Sequence, residues 1–421
     1  MEKKAFHRYS VLGGSGSDVD TLTRQVSEVG GIDVVRAILS GQLFVSLTDS
    51  MVAMLRHCGL VVTRVQKVSP AIVSVPRQIL GTAEFTPSDT LDLLGLNSFK
   101  FSIEPPLSGS GFVVAVIDSG IRLTHQLLGG KIIYRENFTS APNGDGFNHG
   151  TGVAAIIHAV VPDAGILDMK VLDDTGSGTE ENVVLALEAC AALLDTNPLL
   201  APNIINMSLG SPDDGNPDNP LRVACRVVMN RGIVIVAAAG NNGAVSGAVS
   251  TPACELYVVA VGSISSSPFQ VSEFSSRGPT YGGLVKPDCV FLGEDLILAS
   301  SVSDIATMSK SGTSFSTPLT TGVIVMQMEG VVRTQAISPN LFVGKNVITC
   351  LVVIDNMLPT ICTKPEGAPT GKDNDYGYGV PVGSLMQNRT AAIGLIDWSA
   401  TFNLSMTMMM MQMMARMAGG S

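Results

Sequence analysis

Three side chains far apart in the chain have the types needed for nucleophilic chemistry: Asp118, His149 and Ser314. Ser314 is one of four serines between Ser309 and Ser316, in "KSGTSFSTPLTTG" at 310–322. Its neighbours set it apart. Gly312 allows a turn before it, and Pro318 with the apolar run behind it announces a helix, because proline is tolerated in a first helical turn. The spacing places Ser314 at a helix N-terminus, where backbone N–H groups and the dipole favour negative charge. A serine hydroxyl is a weak nucleophile until a histidine takes its proton, and a third group must hold that histidine's tautomer. His149, in "NHGTGVAAIIHAV", stands where a helix begins, and Gly150 and Gly152 permit close backbone approach. Asp118 ends the apolar run "FVVAVID", at a strand tip suited to orienting a histidine.

Blander roles stand beside these. Asp118 also fits a cap or turn aspartate, and a lone histidine before a helix is commonly structural. His125 and His158 lack a comparable context and read as structural. Asn241 ends "GIVIVAAAGNNG", where its amide is placed to donate to a developing oxyanion. Asn242–Gly243 is explained as a turn, which accounts for Asn242 better than for Asn241.

These residues need a frame. From 111 to about 330, apolar runs of strand length alternate with helical stretches. "FVVAVID", "ILDMKVLD", "NIINMSLG", "GIVIVAAAG" and "LYVVAVGSI" are apolar without alternation, as in strands buried on both faces. Helices are predicted at 149–160, 180–195 and 219–231. Alternating βαβ units imply a parallel sheet covered on both sides, with its ligand site beyond the carboxyl ends of the strands. Upstream, "QLFVSLT", "DSMVAMLRHCG" and "LVVTRVQKVSPAIVSVP" read as a strand, a short helix and one or two strands, a small α+β unit. Residues 18–40 read as a helix interrupted at Gly30–Gly31. The expected organisation is an N-terminal extension at 1–40, the α+β unit at 41–80, a linker at 81–107, a large α/β domain at 108–390 and a Met-rich tail at 391–421.

At this point the sequence resembles the subtilisin-like serine proteases, the subtilases. The matching pieces are "VAVIDSGI", "HGTGVA", "NMSLG", "AAAGNNG" and "SGTSFSTP", with lesser matches at "DDTGSG", "FSSRGP" and "YGYG". They fall in the family's order, and Asp…His…Ser is the chain order of subtilisin. The resemblance implies a three-layer α/β/α fold with a mostly parallel central sheet, preceded by a small propeptide-like domain. It implies that Asp118 orients His149, that His149 is general base and then acid, and that Ser314 is the nucleophile. The Asn241 amide and the Ser314 backbone N–H would hold the oxyanion. Ser208, Leu209 and Gly210 would pair with the substrate main chain, with Gly176, Ser177 and Gly178 on its other side, as in strand addition.

Departures bear on details. Gly152 stands where the family commonly has histidine. Leu127 stands where a carboxylate usually serves a high-affinity calcium site, so no cofactor is expected from that site. No acidic residue falls in the stretches expected to line the primary specificity pocket, which implies a neutral or apolar preference. Asp213, Asp214 and Asp218, just past the substrate strand, would favour basic residues elsewhere on the peptide or form a solvated turn. A self-processing cut is expected between about Arg77 and Asp89.

The expected function is a serine endopeptidase acting through an acyl-enzyme and auto-processed. The alternatives are a catalytically latent peptide-binding scaffold and a maturation protease of narrow range. Its partners are a peptide or protein substrate and its own N-terminal segment. A formal net charge of −10 leaves no basic footprint for nucleic acid. No apolar run reaches the roughly 18 residues of a membrane span. Seven cysteines, an odd number without a CxxC pair, read as buried free thiols in a reducing compartment. With no apolar stretch of signal-peptide type near Met1, the expected location is cytoplasmic, or outside by a non-standard route. Eight of the 19 methionines fall in 406–417, which suits a helix packing flexible side chains or a disordered tail better than a soft-metal site.

Overall fold

A computed structural model describes residues 5–13, 18–73, 84–266, 269–335 and 352–387. The Met-rich tail, Cys350 and residues 77–83 of the expected processing stretch lie outside the described residues.

The apolar runs form seven strands: β6 (Val113–Asp118), β7 (Ile132–Asn137), β8 (Gly165–Lys170), β10 (Ile204–Met207), β12 (Val234–Ala238), β13 (Val259–Ile264) and β14 (Cys289–Leu292). Their order is β14-β13-β12-β10-β6-β8-β7, and every pairing is parallel. Strands β6, β10, β12, β13 and β14 are buried along their whole length, which is why their sequences run apolar without alternation. The crossover helices are α5 (Gly150–Val160), α6 (Glu180–Thr196) and α7 (Pro220–Asn230), close to the predicted spans. A long helix, α8 (Thr313–Gln335), packs on α5 and against β10, β12, β13 and β14. It is buried on all sides over its first half, so it shows no polar face. This is a three-layer α/β/α arrangement. After β6 the chain winds first towards β7, then returns past β6 to β10 and beyond. The strand order therefore reverses beside β6, and the carboxyl ends of β6 and β10 are the place for a ligand.

The small N-terminal unit begins earlier than the sequence suggested. Its sheet has the order β2-β3-β1-β4, built from β1 (His7–Leu12), β2 (Ile32–Ala37), β3 (Gln42–Leu47) and β4 (Val61–Arg64). Helices α1 (Val19–Glu28) and α2 (Asp49–His57) cover one face. The described part of the stretch expected as an extension is therefore integral: β1 and β2 flank β3 on both sides, and without them both its edges would be unpaired. The stretch 32–37, expected as helix, is this edge strand. Alternation in β3 sends Leu43, Val45 and Leu47 into the unit's own core, whereas Phe44 points the other way and joins the core of the large domain.

The stretch read as a linker also carries structure. α3 (Pro87–Leu93) starts with a capping box between Thr86 and Asp89, and α4 (Leu96–Lys100) follows. Leu91, Leu94, Leu96 and Phe99 are part of the main core. Among the described residues, no helix is long and apolar enough to cross a membrane.

Candidate active site

Asp118 is the last residue of β6 and His149 directly precedes α5, so both stand at the carboxyl edge of the sheet. Each is 1% exposed. The Asp118 Oδ1 atom lies 2.7 Å from His149 Nδ1 and also accepts the Ser119 N–H. A carboxylate can only accept, so Nδ1 carries a proton, and in the neutral imidazole Nε2 is the nitrogen with the free lone pair. That Nε2 is buried with no hydrogen-bond partner. A third residue holds the pair. The Asp145 carboxylate accepts N–H groups from Asn148, His149 and Thr151 and the Ser119 hydroxyl, at 2.7–3.2 Å. Ser119 Oγ in turn accepts the Gly150 N–H at 3.0 Å. Asp145 thus ties the loop after β6 to the first turn of α5. The sequence reading does not single it out: Asp145 lies four residues before the N-cap position His149, outside the local capping pattern.

Ser314 lies in the first turn of α8 and is fully buried. Pro318 falls just beyond that turn, not within it as expected. Its missing N–H leaves the Ser314 carbonyl without its helical donor. The Ser208 hydroxyl takes that place at 2.7 Å. The Ser314 hydroxyl donates to the Ser208 carbonyl, also at 2.7 Å, so the two serines exchange hydrogen bonds. The imidazole of His149 packs beside the next residue, Phe315, with ring centroids 5.4 Å apart.

Asn241 follows β12 and reaches the same turn. Its Oδ1 accepts both the Thr313 N–H (3.1 Å) and the Thr313 hydroxyl (3.0 Å). This leaves Asn241 Nδ2 as a buried donor without a partner. Thr313, which the sequence reading did not single out, is thus the residue that aims the amide. Gly312, with φ +150°, completes the turn, and a Cβ there would collide with the carbonyl of Ala71.

Ala71 belongs to a strand that fills the cleft. β5 (Lys67–Pro70) runs between β11 (Leu209–Gly210) and β9 (Gly178–Thr179), antiparallel to both. Leu209 pairs with Pro70, Gly210 with Ser69, Gly178 with Val68 and Thr179 with Lys67. The Ala71 N–H then donates to the Ser208 carbonyl (3.3 Å), and the Ala71 carbonyl accepts the Ser314 N–H (3.2 Å). Val73 continues the strand against Ser311, its N–H 3.0 Å from that carbonyl. The main chain of residues 67–73 therefore lies across Ser314, with the Ala71–Ile72 bond beside it.

The structure brings Asp118, His149, Ser314, Asn241, Ser208, Leu209, Gly210 and Gly178 to one cleft. Gly176 and Ser177 sit in the turn before β9, held by Asp173, and do not enter the ladder. His125 caps a short turn and His158 lies near Gly129, both away from the cleft. Asp213 is buried beside Arg222, while Asp214 faces the N-terminal unit through Gln66. Among the described residues, no three His, Cys, Asp or Glu side chains converge as ligands for a metal, and Leu127 is half exposed. The six described cysteines are free, and all but Cys58 are buried.

The chain is 33% identical over 258 residues to the serine protease AprX of Bacillus subtilis, covering 53% of this chain and 58% of that protein. It is 30% identical over 267 residues to subtilisin-like protease 10 of Arthroderma otae, covering 62% of this chain and 61% of the other. Against subtilisin E of Bacillus subtilis it is 38% identical over 188 residues, 41% of this chain and 45% of that one. The chain thus spans about half to three fifths of these relatives' length. The subtilase family model matches residues 109–379, well over half of the chain and the whole parallel sheet. The chain belongs to the subtilase family, Peptidase S8.

Proposed function

We propose that this protein is a serine endopeptidase whose first substrate is its own chain, cut between Ala71 and Ile72. One observation carries the reading: the Ala71 carbonyl accepts the Ser314 N–H while its strand is clamped between Leu209–Gly210 and Gly178–Thr179. The Ser314 hydroxyl turns from the Ser208 carbonyl to His149 Nε2 and gives up its proton as Oγ attacks the Ala71 carbonyl carbon. The oxyanion is held by the Ser314 N–H and by Asn241 Nδ2, the donor that otherwise has no partner. His149 passes the proton to the Ile72 nitrogen, which leaves as an amine, and an ester joins Ser314 to Ala71. Water, deprotonated by His149, cleaves that ester. Asp118 holds the Nδ1 proton and stabilises the imidazolium.

Sequence reasoning expected the cut between Arg77 and Asp89. The geometry favours Ala71–Ile72, where the bond already lies on the catalytic groups. On this reading the α+β unit is a propeptide that occupies the cleft as a bound product. The small Ala71 side chain at the cut fits the neutral or apolar preference expected from the sequence.

The test compares intact masses and N-terminal sequences of the wild type and Ser314→Ala. The expected wild-type product begins at Ile72, and Ser314→Ala stays whole. An uncut wild type, or a cut at an unrelated bond, sinks the self-processing reading. A fluorophosphonate probe should label Ser314 in processed protein. One observation favours a second reading, a latent peptide-binding scaffold: the Ser314 hydroxyl bonds to Ser208 and not to His149. Absence of labelling in folded protein whose N-terminal unit has been removed by an added protease would support it.

A further inference from the structure

The ladder that holds residues 67–71 does not end at Lys67. The next residue, Gln66, is met by the large domain at its main-chain N–H, its carbonyl and its side-chain amide N–H. The Glu180 N–H donates to the Gln66 carbonyl at 3.0 Å. The Glu180 Oε2 atom accepts the Gln66 N–H at 3.1 Å. The Gln66 side-chain amide donates to Asp214 Oδ2 at 3.2 Å. Glu180 is fully buried, although it opens α6 on the rim of the cleft. Its other oxygen, Oε1, is fixed by the Ser211 hydroxyl (2.9 Å) and the Asn219 amide (2.8 Å). Ser211 follows β11 and Glu180 follows β9, so this carboxylate bridges the two strands that flank the peptide.

A buried carboxylate is costly unless it is hydrogen-bonded. The Gln66 N–H is the donor that meets Oε2. Once the N-terminal unit leaves, that oxygen loses its main-chain donor and is placed to accept another main-chain N–H. Asp214 is exposed, and its Oδ1 accepts the Asn216 N–H, which fixes the carboxylate in its turn.

We propose that Glu180 and Asp214 form a subsite for the sixth residue on the N-terminal side of the cut, counting Ala71 as the first. Glu180 takes that residue's main chain, and Asp214 selects an amide or cationic side chain over an acidic one. The inference rests on the reading of Ala71–Ile72 as the scissile bond. The substrates it selects are extended peptides with at least six residues before the cut and glutamine, lysine or arginine at the sixth.

The two parts differ in expected size. A charge-assisted pair with exposed Asp214 gives about a three- to fivefold preference. Losing the main-chain hydrogen bond to the Glu180 carboxylate, the one bond an acetyl cap cannot replace, costs roughly tenfold or more.

The test uses processed enzyme and internally quenched peptides of the frame X-Lys-Val-Ser-Pro-Ala-Ile-Val, with X as Gln, Lys, Ala or Glu. A fifth peptide is acetylated at its lysine and lacks X. The expected kcat/KM order is Lys and Gln above Ala, Ala above Glu, with the shortened peptide lowest. Asp214→Asn should collapse the spread among Lys, Ala and Glu. Glu180→Gln places an amide N–H against the incoming N–H, so it should bring the long peptides down to the shortened one. Cleavage at Ala-Ile with equal kcat/KM for all five peptides overturns the subsite alone. Failure to cut any of them at Ala-Ile overturns the assigned scissile bond, and the subsite with it.

Discussion

Ser208 and Ser314 are joined by two reciprocal hydrogen bonds, each hydroxyl donating to the other's carbonyl at 2.7 Å. One residue precedes β11, the strand that pairs with β5, and the other is the candidate nucleophile. Pro318 is the cause of half the exchange, because its missing N–H frees the Ser314 carbonyl for Ser208. Ser208→Ala should therefore leave a buried carbonyl unsatisfied and cost about 1–3 kcal/mol. In a Pro318→Ala background the helix regains its own N–H, so the same substitution should cost measurably less. Urea denaturation of the four proteins, made on Ser314→Ala to prevent self-cutting, reads the difference. Equal costs in both backgrounds would refute the compensation.

Asn241 Nδ2 is a buried donor held free by Thr313. Asn241→Ala is expected to lower kcat by roughly 10²–10³ with little change in KM, since the donor meets charge only in the transition state. Thr313→Val keeps the backbone bond to Oδ1 and loses the hydroxyl one, so a smaller loss in kcat is expected. Steady-state kinetics on a peptide substrate decides both.

Asp145 collects donors from both loops that carry Asp118 and His149. Asn in its place offers one acceptor oxygen and turns an N–H₂ towards donors. The expected effect of Asp145→Asn is a fall in kcat of about 10²-fold through misplaced His149, with KM retained. A change confined to KM would contradict a positioning role.

Asp168, on β8, pairs with Arg135 at 2.6 Å, yet burial pushes its carboxyl from 3.8 up to about 6 while Arg135 pulls it down. The folded state then holds the proton more tightly than the unfolded chain. Its stabilising contribution is complete below about pH 4 and is lost as pH rises through about 6. The loss is bounded by about 3 kcal/mol. Melting temperatures of wild type and Asp168→Asn across pH 4–7 should show the wild type losing ground to the variant as pH rises. A pH-independent difference would rule this out.

Much of the site was legible because its signals are local. Buried parallel strands must be apolar on both faces, so β6, β10, β12 and β13 stood out as unbroken runs. Glycine, proline and the strand tips then picked Asp118, His149, Asn241 and Ser314 from their neighbours. The edge strand β2 was lost because its faces are both partly exposed, leaving no alternation to read. The body of α3 and α4 was taken for linker because its prolines and glycines obscured a Thr86–Asp89 capping box.

The sequence by itself determined which side chains could do chemistry and the order of elements presenting them. Only the tertiary structure decided what lies on them. The partners of Ser314 are Ser208, 106 residues away, and Ala71, in another structural unit. No periodicity records such pairings, because they arise when the small sheet docks through Phe44 and its trailing strand enters the gap between β9 and β11. That docking, not any motif, lays the Ala71–Ile72 bond beside Ser314 and is the ground for proposing the cut there.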